Sequence, residues 1–349
     1  MIEIPAYLII AAVSGYLCYL FTPIIISYCV KRNLYDEPGP RKIHTRRIPR
    51  LGGTAIYLAY FLGLIPGLLL LPEIWQNNTR AIFGILIGGT IIFGVGVYDD
   101  LKEVKPLTKL IWEIIACSIV IWLGVRLEIL NIPFYKVVEL GFWGFPVSLI
   151  WLVAITNTIN LIDGLDGLAA GVSLISGVSF LALSIIMDLQ LPSFLAAGLI
   201  GTSLAFLKYN RFPAAIFMGD SGSLFLGFIF GVVSLFWPKS YATVVMFIPI
   251  LALGVPIIEI IATFFRRLFS GKKIYMADRH HIFHILLDFG IDHKVIVWIF
   301  YLVSLQFALA AFAIAGGSRN ILFVLQAGFI ILIAIVVSGK FKPWRANKK

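Results

Sequence analysis

Charge is what this chain of 349 residues has least of: Lys, Arg, Asp and Glu together make up only 13% of it. Soluble domains carry about twice that share, and no stretch here is polar enough, over domain length, to form a sizeable separate soluble unit. Cysteine is nearly absent as well. Cys18, Cys29 and Cys117 fall within or beside apolar runs, with no CxxC or Cys/His metal spacing, which excludes a disulfide framework or a structural zinc site and leaves them as packing residues. There is no Walker A sequence and no Gly-x-Gly-x-x-Gly cradle, so any phosphate must be held by metal and side chains. The first apolar segment lacks a basic leader and a small-residue cleavage pattern. It follows Glu3, continues to about Val30 and reads as a retained span.

What the chain has is apolar length. Hydrophobic residues make up 60%, mean hydropathy is +0.97, and apolar runs recur near 4–30, 51–72, 80–98, 107–127, 146–162, 168–187, 191–207, 216–236, 241–265, 294–315 and 320–338. The expectation is an all-α polytopic membrane protein of about eleven transmembrane helices, forming a single domain over 1–349. An odd number of spans puts the termini on opposite faces. Of the 28 basic residues, 23 then fall on one side, and only Arg80, Arg126, Lys136, Lys239 and Arg319 on the other. By the positive-inside rule the N-terminus lies outside and the C-terminus in the cytoplasm. Topology and anionic headgroups account for the net charge of +10, so it implies no nucleic-acid partner.

Against this background the acids stand out, because they gather at cytoplasmic helix ends. Asp99 and Asp100 end the third run, where adjacent carboxylates repel one another and also oppose the helix dipole. Asn157, Asn160, Asp163 and Asp166 follow the fifth, with Gly164 and Gly167 suggesting a tight re-entry that brings backbone close to a ligand. A bland alternative for Asp166 is the N-cap of the sixth helix. Asp220 would sit about one turn inside the eighth helix, between Gly and Ser, and is the best metal-ligand candidate on chemistry alone. Asp278-Arg279-His280-His281-Ile-Phe283-His284, in the cytoplasmic loop 266–293, suits phosphate or pyrophosphate better than zinc. The basic stretch from Arg41 through Arg46, Arg47 and Arg50 reads mainly as a topology and headgroup signal, and Gly52-Gly53 after it as close backbone packing. Together these describe a phosphoryl-transfer site at the lipid boundary.

The order of the motifs resembles the polyprenyl-phosphate N-acetylhexosamine-1-phosphate transferase family, most closely its bacterial undecaprenyl-phosphate N-acetylglucosamine-1-phosphate branch. Five blocks carry the resemblance: His44-x-Arg46-x-x-Pro49-x-x-Gly52-Gly53; Asp99-Asp100 with Pro106 and Lys109; Asn157-x-x-Asn160-x-x-Asp163-Gly-x-Asp166-Gly; Asn210-x-x-Pro213 with Phe217-Met-Gly-Asp220-x-Gly222-Ser223; and Ala277-Asp278-Arg279-x-His281-x-x-His284. The resemblance implies an all-helical membrane bundle, often a homodimer, in the bacterial inner membrane. It further implies attack of polyprenyl phosphate on a UDP-amino sugar, with Mg²⁺ required and Mn²⁺ as its substitute. By the same resemblance Asp220 is the principal Mg²⁺ ligand with Asn160 beside it, and Asp99, Asp100 and Asp163 form the catalytic carboxylate set. Gly164, Asp166, Asn210 and Phe217 form the uridine pocket, and Arg46, Arg279, His281 and His284 read diphosphate and sugar. Two positions depart from the branch: Phe283 stands where a His is common, and Glu113 where a Gln is common.

Two competing readings remain at this stage. The same chemistry with another UDP-amino sugar, including UDP-N-acetylmuramoyl-pentapeptide, differs only in the sugar pocket. A transporter or lipid flippase would place its acids near the bilayer midplane instead of at cytoplasmic ends.

Overall fold

A computed structural model describes residues 3–38, 46–102, 104–131, 137–236, 253–258, 261, 282–316 and 328. The chain is an all-helical membrane protein. Its helices are α1 (Glu3–Arg32), α2 (Gly52–Leu70), α3 (Pro72–Lys102), α4 (Pro106–Trp122), α5 (Gly144–Ile162), α6 (Leu168–Ile186), α7 (Gln190–Asn210), α8 (Gly219–Leu235), α9 (Ile282–Asp288) and α10 (His293–Gly316). Seven of these segments are long and apolar enough to cross a membrane, and α8 is a shorter apolar helix. Two small antiparallel hairpins interrupt the bundle: β1 (Tyr35–Asp36) with β2 (Ile48–Pro49), and β3 (Ile129–Asn131) with β4 (Val137–Glu139).

Two helix starts follow directly from local chemistry, Pro72 for α3 and Pro106 for α4. Pro106 opens α4, where its missing N–H costs nothing. The third helix is longer than its apolar run, starting at Pro72 and bending at Asn78 (φ −128°, ψ 22°). Of the predicted runs 241–265 and 320–338, only 253–258, 261 and 328 lie within the described residues.

The eighth helix is the hub. All fifteen residues from Ser221 to Leu235 are buried, and it packs against α2, α3 and α5 while α1 packs on α2 and α7. A helix apolar on every face belongs in the interior. Between membrane helices lipid supplies no hydrophobic drive, so close backbone packing must hold them together. Glycine provides it here. A Cβ on Gly53 of α2 would run into the backbone of Ser221 and Gly222, and one on Gly96 of α3 would strike Ser221. The ends of α1, α3, α5 and α7 and the starts of α2, α4, α6 and α8 alternate along the chain, which brings Asp99, Asp100, Asn160, Asn210 and Asp220 to one end of the bundle.

Candidate active site

The start of α8 is where the acids meet. Asp100, 4% exposed, accepts the backbone N–H of Asp220 (2.9 Å), the N–H of Ser221 (3.1 Å) and the Ser221 hydroxyl (2.6 Å). A carboxylate that opposes the dipole of its own helix is thus held by the N-terminus of another, where negative charge is favoured. Gly219, at φ +71°, allows this: a Cβ there would meet the Asp100 carboxylate. Asp99 turns the other way, accepting the Val104 N–H at 2.5 Å and facing the Lys109 ammonium at 3.5 Å. The adjacent pair therefore does not share one environment.

Asp220 is the second residue of α8, nearer its start than a full turn inside, because the helix begins at Gly219 and not at Ile216. Its Oδ2 is bonded by Lys109 and its Oδ1 by the Asn160 amide at 2.9 Å. Asn160 also donates to Ser223 at 3.0 Å, which fixes the amide plane. Lys109, four residues into α4, thus bridges Asp99 and Asp220 from a third helix. One turn further along α4, buried Glu113 accepts from Asn157 of α5 at 2.5 Å. That bond pins α4 to α5.

The segment between α5 and α6 is a turn, as Gly164 and Gly167 suggested. Asp163 follows the last residue of α5, and Gly167 stands in the left-handed region (φ 80°) just before α6. Asp163 lies half-buried near three other carboxylates. Burial first, then the charges of Asp220, Asp100 and Asp166, push its pKa up to about 8. Asp166 does not cap α6. Its Oδ2 accepts the Ala214 N–H at 2.9 Å, tying this turn to the segment that leads into α8. Asn210, 2% exposed, closes the same tie by accepting the Gly167 N–H and donating to the Ile216 carbonyl, both at 3.0 Å.

These groups surround a cavity of about 700 Å³. Two groups of residues line it: Asp100, Asp163, Asp220 and Arg50, and Asp166, Asn210, Phe212 and His293, which are tied together around the α5–α6 turn; Phe217, bonded through its backbone to Pro49 and Gly52, also lines it. Arg46 and His284 also line it. Arg279 and His281 lie outside the described residues. Phe283 has a definite place: it is 2% exposed, its ring covers the bare backbone of Gly164 where a Cβ would collide with it, and the His284 ring follows at 4.4 Å. The residue in the usual His position therefore docks α9 on the turn, while His284 reaches the cavity.

The sequence placed none of Lys109, Arg50 and His293 in the site: Lys109 stood in a motif without a role, Arg50 read as a topology and headgroup signal, and His293 carried no signal. A lone lysine inside an otherwise apolar run was the available signal for the first. His293 opens α10, accepts the Asp166 N–H at 3.1 Å on Nε2 and lies 4.9 Å, ring to ring, from Phe212. Nothing in its spacing pointed there.

The donor set suits a hard divalent cation. Asp220 and Asp163 offer carboxylate oxygens to the cavity, and a lysine ammonium supplies the positive charge that Asp220 requires. Among the described residues no three His, Cys, Asp or Glu side chains converge on one point. Mg²⁺ needs no such cage, since it uses one or two carboxylates and completes its shell with water and phosphate oxygens.

Comparison with known proteins agrees with the geometry. Residues 82–238 match the sequence model described as Glycosyl transferase family 4. A "Probable undecaprenyl-phosphate N-acetylglucosaminyl 1-phosphate transferase" of Bacillus subtilis (strain 168) is 36% identical, over 93% of this chain and 91% of that one. The decaprenyl-phosphate N-acetylglucosaminephosphotransferase of Mycobacterium leprae (strain TN) is 29% identical, over 95% and 88%. The phospho-N-acetylmuramoyl-pentapeptide-transferase of Borreliella afzelii (strain PKo) is 30% identical, over 79% and 84%. The chain belongs to glycosyl transferase family 4, the polyprenyl-phosphate N-acetylhexosamine-1-phosphate transferases that its motif order resembles.

Proposed function

We propose that this protein transfers N-acetylglucosamine 1-phosphate from UDP-N-acetylglucosamine to a polyprenyl phosphate, releasing UMP and forming the lipid diphospho-sugar. The observation that carries the reading is the cavity's lining, which joins two groups of residues. Asp220, which lines it, is bonded to Lys109 and Asn160, with Asp99 facing the same lysine, while Phe212, Phe217 and the backbone-tying Asp166 and Asn210 form the second group. The first suits a diphosphate with a cation and the second a nucleoside.

In the reaction a lipid phosphate oxygen attacks the β-phosphorus. A new P–O–P bond forms to the lipid, the bond to the α-phosphate breaks, and UMP departs with that electron pair. No strong base is needed, because a phosphate monoester with a second pKa of about 6 is already largely ionised at neutral pH. The carboxylates then serve position and charge. Asp220 would hold Mg²⁺ with Asp163, and Asn160 and Lys109 orient the Asp220 carboxylate. Bound there, the ion would neutralise the charge that develops on the diphosphate oxygens. Asp100 fixes the start of α8, and with it the position of Asp220. The ring of Phe217 would stack on uracil.

The site lies on the cytoplasmic face in this reading, with eleven spans and the N-terminus outside, as the 23 basic residues on that side support. The sugar assignment follows the Bacillus and Mycobacterium relatives, whose names specify N-acetylglucosamine. Membranes containing the chain should release UMP from UDP-N-acetylglucosamine when both polyprenyl phosphate and Mg²⁺ are supplied, and not when either is withheld. Absence of UMP under the complete conditions, or release from UDP-N-acetylmuramoyl-pentapeptide alone, would overturn the reaction or the sugar respectively.

A further inference from the structure

Arg50 lines the cavity, and among the described residues its guanidinium has no partner within hydrogen-bond length. Its guanidinium reaches Asp36 at 3.6 Å and Asp100 at 3.8 Å, both beyond hydrogen-bond length. Asp100 cannot be what holds it, since that carboxylate already takes three shorter bonds from the start of α8. An arginine used as a structural counter-ion ordinarily forms close, often paired, hydrogen bonds with its carboxylate.

The backbone around Arg50 is nevertheless fixed with unusual completeness. On one side Ile48 and Pro49 pair with Tyr35 and Asp36, and the Pro49 carbonyl accepts the Phe217 N–H at 2.8 Å. On the other, Gly52 and Gly53 donate to the carbonyls of Phe217 and Met218 at 3.0 and 2.8 Å. Ile48 and Leu51 are buried at 3% and 6% exposure. The residue between them is thus clamped to the segment that leads into Asp220, while its side chain, 25% exposed, lines the cavity.

Electrostatics supplies the reason for a cation there. A phosphate entering here meets Asp100, Asp163 and Asp220 of the lining, and the nearest lysine, Lys109, is already committed to Asp220 and to Asp99. A planar guanidinium, fixed in place and presenting its donors to the cavity, matches two phosphate oxygens at once.

We propose that Arg50 is a phosphate clamp, a substrate-binding residue that takes a phosphate group of one of the two substrates among the cavity's acids. The inference rests on the transferase reading. The shared chemistry is a phosphate presenting two non-bridging oxygens, from either the lipid monoester or the sugar nucleotide, and separate titrations of the two substrates distinguish the sources.

The test uses the full chain in detergent, with the KM for polyprenyl phosphate and for UDP-N-acetylglucosamine measured separately in wild type, Arg50→Gln, Arg50→Lys and Asp36→Asn. Arg50→Gln should raise one KM at least about tenfold and leave kcat within a few fold, as loss of charge-assisted bonds to a bound substrate does. Arg50→Lys should recover only part of the loss, since an ammonium lacks the fork. Asp36→Asn should leave that KM unchanged or lower it, because it removes a competitor for the guanidinium. A rise confined to the lipid assigns the clamp to the acceptor phosphate; a rise confined to the sugar nucleotide assigns it to the donor. Unchanged KM values in Arg50→Gln would overturn the clamp, as would wild-type values in Arg50→Lys should the Gln variant fail to fold, or a loss in Asp36→Asn equal to that in Arg50→Gln. A wild-type protein that releases no UMP would instead overturn the transferase reading.

Discussion

The two groups of residues at the cavity are built by opposite means. Around Asp220 side chain meets side chain, with Asp99 of α3, Lys109 of α4, Asn160 of α5 and Asp220 of α8 joined into one charged cluster. Around the α5–α6 turn side chain meets backbone: Asp166 holds the Ala214 N–H, Asn210 spans Gly167 and Ile216, and Tyr301 donates to the Gly167 carbonyl at 2.6 Å. The first arrangement exists only once four helices have packed, and its ionic partners can be exchanged for those of a substrate. The second is internally satisfied before any ligand arrives. A residue in a binding motif is therefore not always a residue that touches the ligand, and Asn210 shapes the pocket with the very amide its motif would offer to a nucleoside.

The largest effects should separate the two groups by kinetics. Asp220→Asn or Lys109→Met should cut kcat by about a thousandfold or more while UMP still binds within a few fold of wild type, measured by turnover and by competition. Equal loss of both would show that the charged cluster also carries nucleotide affinity. Asn210→Ala should act on structure instead. Each buried group left unpaired costs roughly 1–3 kcal/mol, so the melting temperature should fall by several degrees and the KM for the sugar nucleotide rise with it. A change in KM with no change in melting temperature would make Asn210 a direct ligand. Phe217→Ala should weaken UMP by the roughly 1–3 kcal/mol of a base stack, with kcat little altered.

Much of the charged cluster was legible in the sequence. Asp99, Asp100, Asn160 and Asp220 announce themselves because a carboxylate or carboxamide beside an apolar run has few bland explanations. What they bond to was not legible. That Asp100 caps α8 while Asp99 faces Lys109 depends on which helix ends meet, and the glycines at 53, 96, 219 and 222 that permit the meeting look alike in sequence. The second group was legible from the residues as a Gly-rich turn and from the motif order as one pocket of Gly164, Asp166, Asn210 and Phe217, all four of which line the cavity. His293 entered by tertiary packing alone, and Phe283 looked like a lost histidine until its ring was found on Gly164. The strap around Arg50 read as a headgroup signal, since its pairing with Phe217 and Met218 runs through backbone atoms that every residue shares.

A pH dependence is expected at Asp163. In the folded, ion-free protein its pKa stands near 8, against about 3.9 for an ordinary aspartate, so the fold favours the protonated form. Its contribution to stability is then fully present below about pH 4 and declines as pH rises toward 8. With a chelator present, the melting temperature of the wild type should fall over that interval relative to Asp163→Asn, and the two should converge at the acidic end. Parallel curves would mean that Asp163 is not held protonated by its surroundings.

The transfer itself can be followed atom by atom with UDP-N-acetylglucosamine carrying ³²P at the β-phosphate, purified protein, polyprenyl phosphate and Mg²⁺. The account predicts that the label moves into the lipid extract while the UMP released is unlabelled, and that Asp220→Asn abolishes both. Label remaining in a water-soluble product, or passing into the lipid without UMP release, would contradict it.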